Sequence, residues 1–363
     1  MISRQHSFRP GMPWLDTEGK RIQAHGGSIF FEDGVYYWYG ENKERTIGDG
    51  AVWHWGVRCY ASADLYNWTD LGLIIPPDAD DPDSPLHPSS MADRPHIIRN
   101  RRTGAYVCWI KVMEPDGRQR STILAAERLL GPYSIVRTGL RPLGMDAGDF
   151  DLAVAADGKA YYYFERVHSE TICADLTDDY TDVTGYYSTH FPHSGPPFTR
   201  EATAHFIRGG RHYLLTSGTT GYLPNPSQIA VADTWHGPYH VLGDPHVDDT
   251  THTSYHSQIS SVFKVQGHDD LYIAMADRWA PHHMDLRYAD YATRFVRWSG
   301  RRLRADETIE GTSSDAGMRQ LDRYSDLRLN TSQADYVWLP ITFDHDDRPV
   351  IAWHDEWKIE DYD

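Results

Sequence analysis

The chain has 363 residues, 40% hydrophobic and 24% charged, the balance of a folded protein with ample material for a core. Asp plus Glu number 52 against 35 for Lys plus Arg, and the resulting charge of −17 disfavours a nucleic-acid groove. No run approaches the roughly 20 apolar residues of a membrane span, and residues 1–10 lack the apolar core of a secretory signal, so a cytoplasmic protein with no membrane partner is expected. Cys59, Cys108 and Cys173 are too few and odd in number for a disulfide framework and read as buried free thiols. No HExxH, CxxC or GxxxxGK[ST] occurs, so no metal-ligand motif stands out. The 12 Trp, 23 Tyr and 11 Phe supply flat apolar faces that suit strand-rich cores and also sugar rings.

One unit recurs along the chain: an apolar strand, a short polar turn, then a Tyr-rich strand. Its copies are Ser28–Tyr39, His96–Trp109, Leu152–Tyr163, Ala204–Leu215 and Ser261–Ile273. Asp33-Gly34, Thr103-Gly104, Asp157-Gly158 and Gly209-Gly210 are hairpin turns between apolar runs. A second hairpin follows most copies, at Arg58–Trp68, Ile123–Tyr133, Ile172–Tyr180 and Ile229–Tyr239. Two hairpins make one four-stranded blade, and five copies predict an all-β, five-bladed β-propeller. The fifth blade resumes at Tyr336–Phe343 and Pro349–Trp353, after an insertion over about 280–330 that is rich in Arg and Asp. A second insertion, near 76–92, is rich in Pro, Asp and Ser. Residues 1–363 therefore read as a single five-bladed propeller domain.

Residues just ahead of the inner strands face a propeller's axis. They are Gln23-Ala-His25-Gly-Gly27, Asp93-Arg-Pro95, Asp149-Phe-Asp151, Arg200-Glu201-Ala202 and His256-Ser-Gln258. Turn chemistry explains Asp, Ser and Gly there singly, but several carboxylates on one axis repel and raise at least one pKa. A protonated acid beside an ionised partner is what glycoside cleavage uses. Glu201 is the sharpest candidate, an ion pair with Arg200 being its alternative role. Asp149 alternatively bonds backbone N–H groups, and Glu41 is either a polar strand end or an acceptor for sugar hydroxyls. Trp55, Trp109, Tyr222, Trp279 and Trp338 are either sugar platforms or core.

In order along the chain, Gln23-Ala-His-Gly-Gly27, Tyr36-Tyr-Trp-Tyr-Gly-Glu41, Asp93-Arg-Pro95, Arg200-Glu-Ala202, Thr216-Ser-Gly-Thr-Thr-Gly221, Ser257-Gln258, Asp277-Arg-Trp279 and Tyr336-Val-Trp-Leu-Pro340 resemble glycoside hydrolase family 43. They are most similar to its exo-β-1,3-galactanase branch. The resemblance covers nearly the whole chain and implies an inverting, exo-acting enzyme on a small carbohydrate. It implies Glu201 as general acid, Asp149 as the carboxylate that tunes and orients it, and Gln258 as an unusual base, with Glu41 or Asp93 as alternatives to Gln258. His25, Glu41, Asp93, Tyr222, Asp277, Arg278 and Trp338 would bind the substrate. An inverting pair should stand about 6.5–9.5 Å apart. No cofactor is required; the family resemblance allows a structural calcium ion on the axis with His256 as a ligand, a hydrogen-bonded core histidine being the other reading.

The implied activity is release of a terminal sugar, β-1,3-linked galactose foremost, from short plant- or host-type oligosaccharides. Where most of the family has a general-base Asp ahead of blade one, this chain has His25-Gly26. Asp93 stands where the branch usually has Glu, and Tyr222 where Trp is common. An arabinofuranoside, galactofuranoside or xyloside therefore remains an alternative substrate. A sugar-binding propeller without catalysis and a protein-interaction propeller are the other readings.

Overall fold

The computed structural model describes residues 4–362 apart from 301, 306 and 323. Its first sheet joins β1 (His25–Glu32), β2 (Val35–Glu41), β3 (Val57–Ser62) and β4 (Thr69–Ile75). The second joins β5 (Met91–Arg99), β6 (Tyr106–Met113), β7 (Gln119–Ala126) and β8 (Ser134–Leu140). The third holds β9 (Ala147–Val154), β10 (Ala160–Arg166), β11 (Glu170–Leu176) and β12 (Val183–His190). The fourth holds β13 (Arg200–Arg208), β14 (Arg211–Gly218), β15 (Gln228–Ala232) and β16 (His240–Gly243). The fifth holds β17 (Gln258–Lys264), β18 (Tyr272–Arg278), β19 (Asp335–Phe343) and β20 (Pro349–Ile351). Each sheet is antiparallel, and β1, β5, β9, β13 and β17 abut in turn, β17 closing on β1. This is the five-bladed propeller that the repeat predicts.

The turn residues act as expected. Glu32 pairs with Val35 across Asp33 and Gly34, whose φ values are 52° and 83°. Arg208 pairs with Arg211 across Gly209 and Gly210, at 58° and 79°. Two successive positive φ values define the type I′ turn whose twist matches the flanking strands.

The aromatic residues mostly fill the seams between blades. Trp38, Trp68 and Trp338 are buried with Phe8 and Trp357 between blades one and five. The N-terminal segment closes that seam: Phe8 and Trp357 exchange backbone hydrogen bonds of 2.9 and 3.1 Å, and their rings stack at 4.4 Å. Trp109 packs on Tyr162 between blades two and three. Cys59, Cys108 and Cys173 are free and buried.

The fifth-blade insertion leaves after β18 and returns at β19. It carries two helices the sequence reading did not anticipate, α1 (Tyr288–Ser299) and α2 (Asp315–Leu321). The connection ahead of β5 ends at residue 90, because Met91 and Ala92 already pair with Met113 and Val112.

Candidate active site

Of the positions singled out ahead of the inner strands, Gln23, Ala24, His256 and Ser257 do precede them, whereas the others are the opening residues of β1, β5, β9, β13 and β17. All five strands slip register near their openings, and three of them do so between His25 and Ser28, Asp93 and His96, and Glu201 and Ala204. At each of these three slips the next residue is left-handed: Gly26 at φ 58°, Arg94 at 53° and Ala202 at 52°. A bulge re-aims a side chain out of the strand's normal alternation. Arg94 and Ala202 hold a conformation unfavourable by roughly 1–2 kcal/mol for a residue with a Cβ. At Gly26 a Cβ would lie 2.5 Å from Glu41 Oε1, so close approach as well as φ requires glycine.

Glu41, Asp93, Asp149, Glu201, Gln258 and Tyr222 line one cavity of about 440 Å³ at this end of the propeller. Arg94, Lys111, Trp53, Trp279 and Asp326 line it as well. A cleft of about 490 Å³ within the insertion is lined by His283, Arg319, Tyr324 and Arg328 among others and has no carboxylate in its wall.

Three buried cations order the carboxylates. Lys111 Nζ lies 2.9 Å from Asp149 Oδ1 and 3.1 Å from Asp93 Oδ2. Arg94 Nε lies 2.8 Å from Asp149 Oδ2. Lys43 Nζ lies 2.8 Å from Glu41 Oε2 and 3.7 Å from Asp93 Oδ1. The Trp53 indole N–H donates to Asp93 Oδ1 at 2.6 Å, and the Arg94 backbone N–H donates to Glu41 Oε1 at 2.8 Å.

Burial raises all four carboxyl pKa values, and the cations decide which stay high. Lys111 and Lys43 overcome burial at Asp93 and hold it at about 2. Arg94 and Lys111 likewise keep Asp149 below the usual carboxylate range. Glu41 is pushed up to about 7, chiefly by burial, against the pull of Lys43. Glu201 is pushed well above the usual range by burial, then by the charges of Asp149 and Glu165; Lys111 and Arg94 pull it only partly back. The three cations contact Glu41, Asp93 and Asp149, and Glu201, beside a neutral amide instead, is the group pushed furthest towards its protonated form.

The alternative roles resolve accordingly. Arg200 turns away from Glu201, and its guanidinium donates to Thr216 Oγ1 at 3.0 Å and Thr216 O at 2.8 Å. Asp149 pairs with side-chain cations, whereas Asp151 is the acid that accepts backbone N–H groups, from Leu152 and His205.

Gln258 does not stand where an inverting base must. Its Nε2 donates to Glu201 Oε1 at 3.2 Å and to Ser217 Oγ at 3.1 Å. Its Oε1 accepts the Trp279 indole N–H at 3.1 Å. Direct contact with the acid leaves no space between them for a sugar carbon and a water, so the expected gap does not apply to this pair. In this arrangement Gln258 holds and orients the acid.

Four of the expected substrate contacts lie behind the wall. His25 is fully buried, its Nδ1 2.9 Å from Asp277 Oδ1 and its ring stacked on Tyr336, while Asp277 Oδ2 accepts the Gly26 N–H. Arg278 donates to the backbone oxygens of Tyr255 and His256. Trp338 belongs to the blade-one/blade-five core. All four brace the wall because strand alternation carries their side chains into the seam. Trp55 lies under the Arg45 guanidinium, 3.6 Å from its ring centre. Tyr222 and Trp279 do form a wall, with ring centres 4.8 Å apart, and Trp53 continues it 5.7 Å beyond Tyr222.

An axial calcium ion does not fit these residues. The Arg94 guanidinium already joins three blades, from Asp149 to Ile259 O, while its backbone N–H reaches Glu41. Burial and then the Arg278 charge make His256 a weaker base. Among the described residues no three His, Cys, Asp or Glu side chains converge as a metal set.

A five-bladed propeller whose axial cavity raises the pKa of one carboxyl and lowers that of another carries the equipment of a glycoside hydrolase. The chain belongs to glycosyl hydrolases family 43, whose sequence model matches residues 24–308. Among solved structures it is similar to a β-1,3-galactosidase of that family at 28% identity and TM-score 0.75, covering 99% of this chain and 65% of that one. A second β-1,3-galactosidase, with galactodeoxynojirimycin, is 25% identical at TM-score 0.75, covering 97% of this chain and 100% of that one. An exo-β-1,3-galactanase from Clostridium thermocellum is 25% identical at TM-score 0.72, covering 97% of this chain and 66% of that one. No curated protein matches the sequence. No helix among the described residues is long and apolar enough to cross a membrane.

Proposed function

We propose that the protein is an exo-acting, inverting glycosidase that releases a terminal β-1,3-linked galactose from short oligosaccharides. The observation that carries this reading is Glu201, buried, bonded to Gln258 and pushed towards its protonated form by burial and by the charge of Asp149, which Arg94 and Lys111 hold towards its ionised form. Glu201 donates its proton to the glycosidic oxygen as the bond to the anomeric carbon breaks. Asp149 keeps Glu201 protonated through its charge, and the Arg94–Lys111 pair keeps Asp149 ionised. Water attacks the opposite face of the sugar and passes its proton to a carboxylate. Of the three left in the cavity, Asp326 accepts the Tyr324 hydroxyl and the Tyr222 N–H, and Asp93 is clamped by Lys111 and Trp53 and is a weak acceptor. Glu41, at about 7, is poised near neutrality and is assigned that role. Galactose rests on the similarity to the two β-1,3-galactosidases and the galactanase. No metal or organic cofactor enters these steps.

The test is sugar release from β-1,3-galactobiose and from aryl β-galactopyranoside, α-L-arabinofuranoside, β-galactofuranoside and β-xyloside. Wild type is run beside Glu201→Gln. Release by wild type alone, confined to the galactosides, supports the proposal; release from a furanoside or xyloside reassigns the sugar. A sugar-binding propeller is the second reading, favoured by the absence of a carboxylate at His25. Sugar binding in calorimetry without release from any substrate would select it.

A further inference from the structure

The polar floor and the rim of the cavity differ in chemistry. The floor holds the charged ends of the inner strands, whereas Phe295, Trp298 and Ser299 of α1 line the rim. Trp298 is 84% exposed, the most exposed large hydrophobic side chain among the described residues.

Helix α1 explains how that ring is held. Tyr288, Tyr291, Ala292, Phe295, Trp298 and Ser299 recur at helical spacing and form one stripe. In the first two turns the stripe is buried: Tyr288, Tyr291 and Ala292 pack with Leu223, Leu286 and Leu321. Asp290 fixes this end, accepting backbone N–H bonds from Arg287 at 3.2 Å and Ser314 at 2.6 Å. In the last turn the stripe emerges, with Phe295 half-buried and Trp298 exposed, and it continues over the cavity until Gly300 ends the helix at φ 63°. Leu223 also ties the helix to the loop that carries Tyr222, so the rim and the sugar-facing wall are parts of one packed unit.

We infer that Phe295 and Trp298 form the binding face for the sugar on the leaving-group side of the scissile bond. This rests on the glycosidase reading above. If Glu201 protonates the glycosidic oxygen, the terminal sugar lies inward of it and the rest of the oligosaccharide must leave past the rim. There a pyranose presents a flat C–H face while its hydroxyls stay in water. An exposed indole matches that face without a charge or a directional hydrogen bond. The site therefore selects for a ring-shaped leaving group and tolerates its hydroxyl pattern.

The experiment uses calorimetry on Glu201→Gln, which binds without cleaving. The probes are β-1,3-galactobiose and free galactose, or the matching disaccharide and monosaccharide if the release assay names another sugar. Adding Trp298→Ala should weaken the disaccharide about tenfold, the upper range for one stacked aromatic face, and change the monosaccharide less than about twofold. Trp298→Phe should recover most of the loss. Disaccharide affinity untouched by Trp298→Ala, or equal weakening of both probes, overturns the inference while leaving the glycosidase reading intact. Wild type that cleaves none of the panel overturns that reading and this inference with it.

Discussion

Replacing Lys111 with Met tests whether cations, rather than packing, set the protonation pattern. The side chain keeps most of its apolar stem and loses the charge that touches Asp93 and Asp149 at 3.1 and 2.9 Å. Removing one partner from a buried ion pair costs about 3–5 kcal/mol. For 363 residues the unfolding entropy at about 2.1 cal/mol/K per residue converts this to a fall in Tm of roughly 4–7 °C at pH 7. The sign with pH follows from Asp93, whose pKa in the wild type is held at about 2 against an ordinary 3.8. That depression stabilises the wild type above the unfolded value and is lost as pH falls from about 4 to 2. Without Lys111 the carboxylates regain protons readily, so the gap between variant and wild type should shrink from pH 7 towards pH 4. Thermal unfolding across this range measures it, and Lys111→Met combined with Asp93→Asn should recover at least half the loss. An equal Tm deficit at both pH values would assign the effect to packing and refute the charge argument.

Glu201→Gln should raise Tm at pH 7–8 and leave it unchanged near pH 4. Glu201's folded pKa is raised, so its penalty appears only as pH climbs above the ordinary 4.5; a variant less stable at pH 8 would contradict this. Trp279→Phe removes the donor to Gln258 Oε1 and loosens the amide that holds the acid. It should lower kcat about 10- to 100-fold and move the alkaline limb of the pH–rate profile upward, because the Gln258 bond favours ionised Glu201. Trp338→Ala should cost about 3–5 kcal/mol in thermal unfolding while KM stays within about twofold at temperatures where the variant remains folded. A KM rise larger than that would return Trp338 to the substrate contacts.

The fold was legible because its signals are local. Asp33-Gly34 and Gly209-Gly210 specify their turns from two residues each, and the apolar runs beside them set the pairing. Glu201 could be singled out as a cavity residue because it opens an inner strand, where its residue type is unusual for a turn. The cations were not, because each reaches the cavity by a different route. Lys111 comes from β6, Lys43 from the segment after β2, and Arg94 through a left-handed bulge residue. Only the three-dimensional convergence of blades one and two makes them neighbours, and no spacing in the chain encodes it. The same limit explains His25, Asp277 and Trp338: their motifs mark the site, but strand alternation turns those side chains into the seam. The helix α1 was missed because its polar face and short length blurred its period inside an Arg- and Asp-rich stretch.

These two kinds of legibility follow from the propeller itself. Five repeats bring five strand ends to one axis, so like charges accumulate there unless the blades also deliver cations. Here the cations fall one short of the four carboxyl groups Glu41, Asp93, Asp149 and Glu201. The shortfall settles on Glu201, the one of these four with no ion pair among the described residues, bonded instead to a neutral amide. A cation placed against Glu201 would ionise it and remove the proton the reaction needs; one cation fewer would protonate Asp149 as well and remove the charge that separates the two roles. The acid is thus defined by the whole set of axial charges, and substitutions at Lys43, Lys111 or Arg94 should alter its titration even though none of them need touch the sugar.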